Sequence, residues 1–198
     1  MIETIKELEA LYGTPAEASQ VKVAHEITPS YRRFIEASPF VALTTVGPEG
    51  TDCTPRGDKG QVVFIEDNHT LALPDRRGNH RLDSLRNVVR DPRVSLMFMV
   101  PGSNTVVRVN GAGKVTADAA LLAKYTTQGK APRTVLLIKI EELYFQCARA
   151  VIRADLWSGA AAPDLPTAGD ILAEMTSGKF DAKTYDETWP ERAAKTLW

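Results

Sequence analysis

Between residues 40 and 147 the apolar positions fall in short runs rich in β-branched side chains: FVALTTV, QVVFIE, TLAL, RVSLMFMV, TVVRVNG, GKVT and TVLLIKI. GPEG, EDN and PGSN separate them. Such runs bounded by Gly, Pro and Asn predict strands and tight turns. About seven strands interrupted by one helix near residues 80–90 predict a barrel rather than an alternating parallel sheet. The period changes on both sides of this block. TIKELEALYG places Ile5, Leu8, Leu11 and Tyr12 on one helical face and stops at Gly13. TPAE offers Thr14 as N-cap, Pro15 at the first helical position and Glu17 to close a capping box. TPSYRRFIEAS predicts a third helix capped by Thr28 and ended before Pro39. Beyond SGAAAPDLPTAG, which reads as a linker, TAGDILAEMTSGKF and PERAAKTLW carry helical patterns. The organisation expected is therefore N-terminal helices over 1–37 packing on a barrel over 38–157, with a helical extension over 158–198.

Composition changes this picture little. With 198 residues, 43% hydrophobic and 25% charged, the chain is ordinary globular material with a net charge of −1. No apolar run approaches the roughly 20 residues that span a bilayer, so the expectation is a soluble, cytoplasmic protein. Cys53 and Cys147 lack C-x-x-C spacing, and His25, His69 and His80 are scattered. No structural disulfide or metal site is expected. Both cysteines read as small buried apolar residues rather than reactive thiols.

The charge is unevenly placed. Six arginines lie between Arg76 and Arg93, against only Asp83 and Asp91. TLAL ends at Pro74, and HRLDSLRNVVR predicts a helix whose Leu82, Leu85, Val88 and Val89 face the core. The basic turn joins the two. A strand-to-helix junction offers unpaired backbone N–H groups at the positive end of the helix dipole, which attracts anions. Around Gly78, Arg76, Arg77 and Arg81 can fork onto phosphate oxygens, and Asn79 can donate an amide hydrogen or cap the helix. The alternative is a solvated turn whose arginines pair with Asp75 and Asp83. A second polar cluster stands in TDCTPRGD, at the end of the strand that pairs with FVALTTV through GPEG. Alternation puts Thr54, Arg56 and Asp58 on one side and Cys53 and Pro55 on the other. The RGD tripeptide there is a chance match to an adhesion motif, and a salt bridge at the sheet edge is the alternative to a binding role.

TPRGD, then TLALPDRRGNHRLDSLRNVVRDPRVSLMFMVPG, then RVNGAGKVT together resemble the pyridoxamine 5'-phosphate oxidase-like family of FMN-binding split-barrel proteins, over about residues 38–157. The similarity is greatest to a branch of undefined substrate. The resemblance implies a mainly β fold with peripheral helices (α+β), a six-stranded antiparallel split barrel. It also implies a homodimer with FMN in grooves between subunits. Arg56, Arg76, Arg77, Asn79 and Arg81 would hold the flavin phosphate, while Thr54, Asp58, Pro74 and Asp75 would line the ring or ribityl chain. YFQCARAVIRADLW matches the family's C-terminal part, which often reaches the partner's flavin. Arg149, Arg153 and Trp157 fall at i, i+4 and i+8 and would share a helical face, for the cofactor, for surface cation–π packing or for a dimer contact. The Arg-x-His pair with which true oxidases read substrate phosphate is absent from this sequence.

No nucleophile or metal constellation stands out, as suits a protein whose flavin accepts and returns the hydride. Three functions are expected, in this order. The first is an FMN-dependent oxidoreductase acting on an unknown small molecule, with NAD(P)H as candidate electron donor and a deazaflavin as variant cofactor. The second is a flavin-binding carrier or sensor without turnover. The third is a nucleic-acid binder using the arginine cluster, which the missing stacking aromatics and a pI near 6.3 disfavour.

Overall fold

The structure, a computed structural model, describes residues 1–78, 80–161 and 163–196. Three helices, α1 (Ile5–Tyr12), α2 (Glu17–Val21) and α3 (Pro29–Ala37), precede the strands. Strands β1 (Phe40–Gly47), β2 (Gly50–Gly57), β3 (Phe64–Asp67) and β4 (Thr70–Pro74) lead to α4 (Asp83–Arg90). Then come β5 (Arg93–Met99), β6 (Val106–Thr116), α5 (Ala119–Lys124) and β7 (Val135–Gln146). Helices α6 (Arg149–Arg153), α7 (Ala168–Met175) and α8 (Ala182–Thr196) follow.

The strands form one antiparallel sheet in the order β2-β1-β5-β6-β7-β4-β3. It is a split barrel of seven strands, one more than the resemblance implies, and it is not closed: β2 and β3 are its edges. The β1–β2 hairpin forms through GPEG as its alternation demands, with Leu43 opposite Thr54 and Val41 opposite Arg56. Cys53, on the edge strand β2, and Cys147, just past the end of β7, are both exposed, against the expectation of burial. TVVRVNG and GKVT, two strands by pattern, are one continuous β6, because Gly111 and Gly113 keep extended backbone and stay paired with β7. QVVFIE pairs only from Phe64, although Val62 and Val63 are buried.

Alternation sends Val41, Leu43, Leu96, Phe98, Val107, Val109, Leu136 and Ile138 into one core, closed from above by Ile35 of α3 and Val88 of α4. On β4, Leu71 and Leu73 enter that core while Ala72 points the other way. There α5 covers it, with Tyr125 and Val135 buried beside it. Removing apolar surface from water on both faces of β4 fixes where the chain after α5 must run.

Several helix expectations change. Thr28 caps α3, as its TP sequence predicts. The α1 helix carries a capping box from Thr4 and Glu7, but Ile5, Leu11 and Tyr12 stay exposed and neither α1 nor α2 buries a residue. Of the N-terminal helices, α3 alone supplies core. The Thr14 capping box does not form: α2 starts at Glu17 behind Ala16, with no side-chain cap. In the C-terminal part, Thr167 and Asp170 make a reciprocal capping box, and Asp186 of α8 accepts from Thr167 Oγ1 (2.5 Å) and the Gly169 N–H (3.0 Å). These bonds tie α7 to α8 as a hairpin.

Candidate cofactor site

A cavity of about 490 Å³ opens where the end of β2, the chain from Asp75 to Leu85 and the segment Thr127–Thr134 meet. That volume lies within the roughly 300–1,000 Å³ of small-molecule sites. Six of its lining residues are cationic (Arg56, Arg76, Arg77, Arg81, Lys130, Arg133), against two carboxylates, Asp75 and Asp83. The structure thus brings together Thr54, Arg56, Asp75, Arg76, Arg77 and Arg81 from the residues singled out in the sequence. Asn79 lies outside the described residues.

Each cation has its own setting. Arg56 Nη1 donates to Asp75 Oδ1 at 3.0 Å, linking the end of β2 to the residue after β4. Arg76 is committed to protein: Nε donates to Asp58 Oδ2 (2.9 Å), Nη1 to the Tyr125 carbonyl (2.7 Å) and Nη2 to Thr127 Oγ1 (3.0 Å). With three bonds in a pair whose side chains are 16% and 8% exposed, it clamps three chain segments rather than presenting its guanidinium fork to a ligand. Asp58, as its partner, is likewise structural. Pro74 ends β4 opposite Val135, buried beneath the cavity rather than lining it. Arg81 Nε donates to Asp83 Oδ2 at 2.8 Å on the exposed side. Among the described residues, Arg77 and Arg133 make no hydrogen bond or ion pair.

The helix below this site starts later than its pattern predicts. Leu82 adopts φ 63° and ψ 19°, a left-handed conformation that a β-carbon disfavours, so helical geometry begins at Asp83 and no side chain caps it. The face that α4 buries is Ser84, Asn87 and Val88; Leu82 and Val89 are 45% and 76% exposed. Polar residues replace apolar ones there because the sheet offers partners. Ser84 Oγ donates to Asp52 Oδ2 (2.9 Å) and lies 3.1 Å from Thr54 Oγ1, while Asn87 Nδ2 donates to Thr45 Oγ1 (3.1 Å). Gly47 admits Asn87 this close, since a Cβ there would overlap the Asn87 carboxamide oxygen.

Two atoms in the cavity wall are out of balance. Arg56 Nε and the Thr134 hydroxyl are buried without a hydrogen-bond partner. An unmet buried polar group costs about 1–3 kcal/mol, and both atoms belong to side chains that line the cavity. The segment carrying Thr134 was missed in the sequence. Its signal was the dipeptide Gln128-Gly129 flanked by Lys130 and Arg133. The Arg149, Arg153 and Trp157 group is not part of this cavity within one chain. Helix α6 ends at Arg153, Asp155 takes φ 48°, and Trp157 Nε1 instead donates to the Ser103 carbonyl (2.8 Å), so no common helical face forms.

The family model described as Pyridoxamine 5'-phosphate oxidase matches residues 27–147, more than half of the chain. The chain belongs to the pyridoxamine 5'-phosphate oxidase family. Members of this family commonly bind flavin and are often oxidoreductases. Similar solved structures include HupZ of Group A Streptococcus, with 16% identity over 69% of this chain and 99% of that one and a TM-score of 0.50. A single-residue variant of HupZ gives 14% identity over 61% and 99%, with a TM-score of 0.51. A candidate oxidase of the family from Lactobacillus delbrueckii gives 22% identity over 61% and 95%, with a TM-score of 0.50. The likeness at these identities is one of fold. No curated protein matches the chain in sequence. Among the described residues, no helix is long and apolar enough to cross a membrane, and no group of three or more His, Cys, Asp or Glu could hold a metal ion.

Proposed function

We propose that the protein is an FMN-dependent oxidoreductase that acts on a small molecule as a cytoplasmic homodimer. The observation that carries this reading is the basic cavity with two buried, partnerless polar atoms, Arg56 Nε and Thr134 Oγ1, in its wall. Arg56, Arg77 and Arg81 would hold the phosphate, with Asp75 keeping Arg56 in place; Thr54 and Thr134 offer hydroxyls to the rest of the cofactor. Bound flavin would supply the hydride chemistry. Both lining carboxylates already face arginines, so the chain's own part is to bind, orient and shield.

The outer face of β1 and β5 supports the dimer. Phe40 and Ala42 stand opposite Met99 and Met97, with Pro55 of β2 beside Ala42. Phe40 and Met97 are exposed. A contiguous apolar surface of this kind favours burial against a second copy. The same assembly would give Arg149, Arg153 and Trp157 a flavin to reach.

The test is an absorbance spectrum of the purified protein, with the released cofactor identified by mass. NADH or NADPH is then added, and flavin reoxidation is followed over an acceptor panel. Flavin bands with acceptor-dependent reoxidation are expected. Bound flavin with no turnover would return the protein to the carrier or sensor reading, and no affinity for flavin would refute the proposal. Pyridoxamine 5'-phosphate should not be oxidised, since the Arg-x-His pair is absent.

A further inference from the structure

The residues lining the cavity carry a formal excess of four positive charges, and Asp58 behind Arg76 reduces it to three. A phosphate monoester brings about −1.5 to −2 at pH 7. Roughly one positive charge then remains in a concave site, where low-dielectric walls strengthen its field. Two of the cations, Lys130 and Arg133, belong to no part of the strand-to-helix turn. They sit on a separate arm, Thr127–Thr134, built on a two-residue turn: Gln128 and Gly129 take φ 52° and 73°. Thr127 and Lys130 exchange backbone hydrogen bonds of 3.0 and 2.9 Å across it. The Arg76 bonds to Tyr125 and Thr127 fasten its base. At its far end the Thr134 hydroxyl is buried and unmet, and Arg133 has no partner among the described residues.

We propose that this arm is an anion subsite distinct from the one that takes the cofactor phosphate, and that the second ligand of the cavity is a small organic acid. Arg133 receives its carboxylate, because a guanidinium fork matches two carboxylate oxygens. Lys130 adds charge, while the Thr134 hydroxyl at the far end of the arm stays with the cofactor. The inference rests on the flavin reading above and names the substrate class of that site.

Flavin-loaded protein is titrated with benzoate, with pyruvate and with neutral benzamide, following the flavin absorbance. At least one acid should bind and shift the spectrum, and benzamide should not. Arg133→Ala should weaken that acid about tenfold or more, with FMN affinity nearly unchanged. Arg93→Ala, which removes the same charge outside the cavity, should change neither. If neither acid binds, or Arg133→Ala binds it as wild type does, the subsite is refuted. If Arg133→Ala instead weakens FMN and spares riboflavin, the arm belongs to the cofactor phosphate and the inference is overturned. Protein that takes up no flavin defeats the flavin reading alone: calorimetric titration of both acids into the bare protein, wild type against Arg133→Ala, then decides the arm.

Discussion

Replacing Arg76 with alanine separates two uses of one arginine. On the phosphate, its loss would weaken FMN binding and leave the fold intact. As the clamp seen here, it joins the end of β2 through Asp58 to the end of α5 through Tyr125 and Thr127. Removing one partner of a buried ion pair costs about 3–5 kcal/mol. Since 16% of the Arg76 side chain and 8% of Asp58 reach solvent, water can compensate in part, and about 3 kcal/mol is expected. For a chain of this size that is a fall in Tm of roughly 6–12 °C. Asp58→Asn, which keeps the shape and two of the three bonds, should lose only about 1 kcal/mol. Urea unfolding and thermal melts of the flavin-free proteins measure both. FMN and riboflavin should lose affinity for Arg76→Ala by the same factor, because the arm shifts while the phosphate site keeps its other cations. Unchanged stability together with a loss confined to FMN would refute the clamp.

Arg56→Ala should act in the opposite sense: FMN affinity falls about tenfold to a hundredfold through lost charge-assisted hydrogen bonds, and riboflavin affinity falls little. Titrating both flavins into the variant checks this, and equal FMN affinity would return Arg56 to a salt bridge with Asp75. Asp91 gives a pH prediction, because its carboxyl is held down to about 2 from 3.8, first by the Arg93 guanidinium and then by the Arg93 backbone N–H. A carboxyl depressed in the folded state stabilises fully above its unfolded value, and that stabilisation is lost as pH falls through the folded one. The stability difference between wild type and Asp91→Asn should therefore be constant near neutrality and shrink between about pH 4 and pH 2; a difference flat through that window contradicts it.

Much of this was written locally. The β1–β2 hairpin followed from alternation around GPEG, and the arginines of the cavity from their density beside a strand end. What resisted reading depends on distant partners. Arg76 and Arg77 are neighbours of one residue type, and only the approach of Asp58, Tyr125 and Thr127 gives the first a structural duty. The buried face of α4 was misjudged because Ser84 and Asn87 are core residues only if Asp52 and Thr45 meet them. The arm Thr127–Thr134 has no periodicity, and its place depends on α5 lying across β4. Arg149 and Trp157 have helical spacing, but the helix ends between them.

The pairing of β6 with β7 skips one residue: Asn110 faces Glu142 and Gly111 faces Ile140, leaving Glu141 without a ladder partner. Ile140 and Leu143 are consequently both inward, three positions apart on a strand whose side chains otherwise repeat every two. The displaced Glu141 carbonyl accepts from His25 Nδ1 (2.6 Å), and Ala24 pairs with Leu143 beside it. Glu141 therefore acts through its backbone rather than its side chain. Most single replacements at exposed Glu141 should pass unnoticed. Deleting it would close the bulge and keep Gly111 opposite Ile140, Asn110 opposite Glu142 and both Ile140 and Leu143 inward, while removing the carbonyl that His25 holds. What the extra residue adds is a carbonyl turned out of the ladder, a handle for the chain before α3.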